Sequence, residues 1–109
     1  MRDEIEAVQQ ILQGYGFSFF DLTECSPKAE KTKRASAKAV AALLSNAELF
    51  QKLRQTKTLP MKELTEYSGV PRKILDRHRK YLIAAAEILN GEYPLLAEYM
   101  SFIRKAMVT

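Results

Sequence analysis

The sequence predicts an all-α fold, a compact bundle of about six to seven helices containing a helix-turn-helix. Three observations carry this expectation. Sustained apolar/polar alternation, the mark of a half-buried strand, is absent, while apolar residues recur at three- and four-residue spacing in several windows. Helix punctuation is regular: Pro60, Pro71 and Pro94 stand where a first turn tolerates proline, and Gly14, Gly69 and Gly91 stand where helices stop. The 109 residues, 47% hydrophobic, suffice for one core and fit a single domain over residues 1–109.

Taken in order, Ile5, Val8, Ile11 and Leu12 form one stripe of a first helix, with Asp3, Glu4 and Glu6 at its positive end. Gly14 to Gly16 ends it. Ser18 is placed to cap a short second helix through Leu22, closed off by Pro27, with Cys25 a small residue at its end. A third helix, Glu30 to Leu44, turns Val40, Leu43 and Leu44 inward and gathers Lys31, Arg34 and Lys38 on one outer face. Ser45 and Glu48 have capping-box spacing for a fourth helix carrying Leu49, Phe50 and Leu53. Pro60 opens a fifth, MKELTEYS, which Gly69 stops. Pro71 opens a sixth that runs to Asn90, and Pro94 opens a last helix to about Met107.

Charge is distributed unevenly. Residues 1–24 sum to −4, residues 25–80 hold fourteen bases against five acids for +9, and the remainder sums to −1. The central block is the part suited to a polyanion. One cysteine and one histidine, His78, exclude an internal disulfide and the usual four-ligand zinc site. No residue constellation for nucleophilic or acid-base catalysis is present, so neither an enzyme nor a cofactor or small-molecule substrate is expected. No apolar run approaches the roughly 20 residues of a membrane span, and the N-terminus lacks a signal-peptide layout, so a soluble, cytoplasmic protein is expected.

The helix-turn-helix occupies LPMKELTEYSGVPRKILDRHRKYLI, within about residues 60–90. Leu64, Val70 and Leu75 fill the positions between its helices, and Gly69 supplies a left-handed turn. On the sixth helix Ile74, Leu75, His78, Tyr81, Leu82, Ala85, Ile88 and Leu89 share one broad arc. Lys73, Asp76, Arg77 and Lys80 occupy the opposite arc, with Arg72 and Arg79 on its flank. Beyond Lys80 the outer arc becomes Ile83, Ala84 and Glu87, so only the first turns are free to enter a major groove. Arg77 matches guanine O6 and N7, Lys73 and Lys80 reach guanine or phosphate, and Asp76 accepts from cytosine N4 or holds Arg72 or Lys80. Lys62 and Arg79 are phosphate contacts. His78, inside the apolar arc, reads as a partly buried structural histidine. Two other readings stay open on the residues alone: a free-standing helix-turn-helix regulator, which would dimerise, and a helical protein-interaction module with a solvated basic face.

LPMKEL, SGVPRKILDRHRKYLIAAAEIL and GEYPLLAEYM, preceded by YGFSFFDLTECSPKAEKTK, resemble in this order the C-terminal domain of sigma-I-type (SigI) RNA polymerase sigma factors, over about residues 5–100. The resemblance implies a sigma region 4-like bundle whose helix Arg72 to Lys80 recognises the −35 promoter element. It implies three partners for a monomeric chain: promoter DNA, RNA polymerase core and the N-terminal cytoplasmic segment of a membrane-bound RsgI-type anti-sigma factor. Phe17, Phe19, Phe20, Tyr99 and Phe102 are the candidate partner-docking residues. Pro71 departs from the serine often found in the family, exchanging a side-chain cap for a rigid first turn. The N-terminal sigma domain that melts the −10 region and grips the core is expected to be absent from this chain.

Overall fold

A computed structural model describes residues 2–18, 21–22, 27–91 and 93–99, and among these shows seven main helical segments and no strand. They are α1 (Arg2–Gly14), α2 (Glu30–Ser45), α3 (Ala47–Thr56), α4 (Met61–Ser68), α5 (Arg72–Arg77), α6 (Arg79–Asn90) and α7 (Pro94–Tyr99). The all-α bundle with an embedded helix-turn-helix is as the periodicity predicts. Asp21 and Leu22 are helical, and the Ser18 backbone N–H donates to Asp21 Oδ2 at 2.9 Å, so the side chain in this bond is that of Asp21.

α2 is the central support, in contact with α3, α4, α5 and α6, while α1 lies against α6 and α7. Ala37, Val40 and Leu43 of α2, Leu49 and Leu53 of α3, Leu64 of α4, Leu75 of α5 and Leu82 and Ile88 of α6 meet in one apolar core. Val8 and Leu12 bring α1 onto it, but Ile5, placed on the same stripe by spacing, is 39% exposed in the first turn. The Leu95 N–H donates to the Glu4 carboxylate at 3.1 Å, joining the start of α7 to α1. No helix among the described residues is long and apolar enough to cross a membrane.

Two local expectations are corrected. Ser45 is the last residue of α2, and the cap of α3 is Asn46, whose Oδ1 accepts from the Glu48 and Leu49 N–H groups at 3.1 and 3.3 Å. The linker is a single extended residue, so the amide one position further on is the group that reaches the orphan donors. The second correction is larger. Arg72 to Asn90 is not one helix but two, broken at His78 (φ −110°, ψ 19°). No proline or glycine stands at the break, so local sequence does not announce it. His78 is itself buried, between a fully buried Leu75 and a fully buried Leu82.

Beyond the break, every residue from Tyr81 to Ile88 is buried, Glu87 included. Glu87 accepts from Arg54 Nη2 at 2.7 Å and Nε at 3.3 Å and from the Tyr15 hydroxyl at 2.5 Å. Three groups thus satisfy one carboxylate whose side chain is 2% exposed, which is the condition for burying such a charge. Arg54 also lies over the Phe50 ring, and Lys57 over the Tyr15 ring.

Candidate nucleic-acid interface

The turn between α4 and α5 is held by its own side chains. Gly69 ends α4 with φ 72° and ψ 8°, a left-handed conformation that a side chain would strain, and its N–H donates to Thr65 O. Ser68 Oγ donates to Leu64 O at 2.6 Å and accepts from the Val70 N–H at 3.1 Å, so one hydroxyl bridges the end of α4 and the turn. Val70 drops into the core. Pro71 then sets φ −59° at the cap of α5 without any side-chain cap bond, and its carbonyl accepts from the Ile74 N–H at 3.0 Å.

This turn projects α5 as a short ridge. Leu75 anchors it from beneath, while Arg72, Lys73, Asp76 and Arg77 are exposed. Arg79, past the break, is exposed as well, and Lys80 is half-buried. Lys62 is exposed in the first turn of α4, beside a surface pair in which Lys52 Nζ donates to Glu63 Oε1 at 2.6 Å. That bond lowers the Glu63 carboxyl from its usual range and neutralises the acid nearest Lys62 in the chain.

The charged side chains around His78 face different parts of the surface. Asp76 and Lys80, with Arg79, line one groove together with Tyr15, Phe17 and Lys57, whereas Lys73 and Arg77 stand outside it. The partner of Asp76 also differs from expectation: Arg79 Nη1, at 3.7 Å, takes the place of Arg72 or Lys80. Lys57 is the residue that sequence reading missed. It ends α3 in a left-handed conformation (φ 62°), with its N–H on Leu53 O, and only the tertiary fold brings it beside Arg79 and Lys80.

Of the candidate docking aromatics, Phe17 is buried in the core against Tyr15, with ring centroids 6.3 Å apart, and only a small edge of it reaches the groove beside Lys57. Phe19, Phe20 and Phe102 lie outside the described residues, as do Cys25, the end of the last helix near Met107 and the side chain of Tyr99. Among the described residues no group of three or more His, Cys, Asp or Glu is placed to hold a metal ion.

No family model matches the chain. Individual proteins do. RNA polymerase sigma factor SigI7 of Acetivibrio thermocellus is 35% identical over 101 residues, 93% of this chain and 43% of that protein. RNA polymerase sigma factor SigI of Bacillus subtilis is 38% identical over 99 residues, 91% of this chain and 39% of that protein. SigI6 of Acetivibrio thermocellus is 32% identical over 106 residues, covering 97% and 42%. The chain therefore spans about two fifths of the length of these relatives. Matched over nearly all of its own length, the chain is similar to the sigma-I-type RNA polymerase sigma factors, which fits the C-terminal domain of that family.

Proposed function

We propose that this chain is the promoter-reading part of an alternative sigma factor, and that it recognises the −35 element through α5 when RNA polymerase initiates transcription. One observation carries the reading: behind a glycine turn, a short helix anchored by Leu75 presents Lys73 and Arg77 outward, in a chain whose relatives are named sigma factors. Arg77 supplies the bidentate fork for guanine, Lys73 reaches guanine or phosphate, and Asp76 orients Arg79. Arg72, Arg79, Lys80 and Lys62, with Lys57 added, are the phosphate contacts. A single helix-turn-helix makes few such contacts, so the isolated chain binds weakly, as a monomer, and gains its affinity from the polymerase core. By family resemblance, the cytoplasmic segment of a membrane-bound RsgI-type anti-sigma factor holds it inactive. The working place of such a protein is the cytoplasm, and it carries no catalytic activity of its own.

The test is an amide-shift titration with a −35 duplex from a sigma-I promoter and with a scrambled duplex. Shifts of Arg72 to Lys80 with the first and not with the second are expected. Equal response to both, or none, would leave α5 without a reading role. Dimerisation on DNA would make the chain a free-standing regulator.

A further inference from the structure

On its other side α5 faces a second groove, distinct from the one that holds Lys57, Arg79 and Lys80. Its floor is the helix-turn-helix turn, Gly69, Val70 and Pro71, with Ile74, and its wall is the outer face of α2, carrying Lys31, Arg34 and Lys38. All three cations are exposed, and none has an ion-pair partner among the described residues. At about 100° per residue they fall within roughly 60° of arc, and from first to last they span about 10 Å. Glu30 is the one acid on the rim, in the first turn of α2, at the positive end of the helix dipole.

We propose that this α2 face is a second DNA-contacting surface, seated on the phosphate backbone of the duplex that α5 reads. The inference rests on the reading of α5 given above and extends it. A helix inserted in a major groove about 12 Å wide is flanked by both strands of the duplex. Here α5 is flanked by two basic walls, Lys57, Arg79 and Lys80 on one side and Lys31, Arg34 and Lys38 on the other. A wall of about 10 Å faces two to three phosphates of one strand. Charge complementarity therefore favours the phosphodiester backbone over a neutral or apolar occupant. The α2 wall fixes the angle of α5 in the groove without reading sequence.

The test measures affinity for sonicated mixed-sequence DNA as a function of salt, because phosphate contacts are independent of sequence. Lys31→Ala, Arg34→Ala and Lys38→Ala are combined in the full chain. Alanine at exposed helical positions keeps the helix, and circular dichroism checks this. A glutamine triple variant repeats the measurement should the alanine one misfold. Each lost contact removes about 0.9 from the slope of log K against log salt, so a decrease of about 2 to 3 is expected. A slope equal to that of the wild type overturns the proposal and leaves the α5 reading standing. If instead the α2 variant loses its slope while combined alanines at Arg72, Lys73 and Arg77 change nothing, the α5 reading fails and the α2 contact survives. Poly-glutamate is the control ligand: loss of its binding with the DNA slope unchanged would assign the groove to an acidic protein segment and overturn the proposal.

Discussion

α5 and α6 are consecutive in the chain, are rich in the same residue types at their junction, and yet stand in opposite surroundings. α5 buries Leu75 and exposes four charged side chains, while α6 buries eight consecutive residues. The change from exposed ridge to enclosed helix falls around His78. An exposed charged segment and an enclosed apolar one are thus joined by a buried histidine. The comparison yields a division that mutations can break: changes in α6 should act on stability, and changes in α5 on DNA binding.

The largest effect is expected in α6. Leu82 is fully buried, so Leu82→Ala should lower unfolding free energy by about 2 to 5 kcal/mol, read by urea denaturation. The folded fraction should keep its base preference. Arg77→Ala, at an exposed position, should leave stability within about 0.5 kcal/mol. It should relax discrimination between matched and mismatched duplexes by about 1 to 3 kcal/mol, about 5- to 150-fold in relative affinity. A stability loss with unchanged discrimination would erase the distinction between the two helices.

Gly69→Ala probes the joint. Space is open around Gly69, so its φ of 72° alone sets the cost of a side chain, about 1 to 2 kcal/mol. Stability and affinity should fall together there, because the residue positions α5 and touches no base.

The smallest effect is spectroscopic. Burial pushes the Tyr81 phenol up from its ordinary value, and burial together with the Glu87 bond does the same to Tyr15. Below about pH 10 both are protonated folded or unfolded. Above it the unfolded chain loses these protons first, so the stability they contribute declines as pH rises. Tyrosinate absorbance should therefore show a delayed alkaline stage, diminished in Tyr15→Phe and in Tyr81→Phe.

How much of this was legible in the sequence follows from the range of the forces involved. Gly69, Pro71 and the Leu64–Val70–Leu75 set act over a few residues, and they place the helix-turn-helix directly. The limit of the charged ridge near Lys80 was legible too, because Ile83 and Ala84 leave no polar face. Where contacts join distant parts of the chain, periodicity is silent. Spacing put Glu87 on an outer arc, yet Arg54 and Tyr15 enclose it. Spacing also put Lys73 on one arc with Lys80, yet only Lys80 lines the groove with Lys57. Lys57 and the α2 stripe could be seen as charges, but only the fold sets them on either side of α5.

The Glu87 cluster carries a consequence for time as well as for shape. It closes chain separations of 33 residues to Arg54 and 72 to Tyr15. Loop closure of that length disfavours such contacts early in folding, when little else is in place to hold the ends together. Contacts made after the transition state govern how slowly a native structure is lost, with little bearing on how quickly it is reached. The buried carboxylate is thus expected to act as a latch on unfolding, lengthening the lifetime of the domain between one opening and the next.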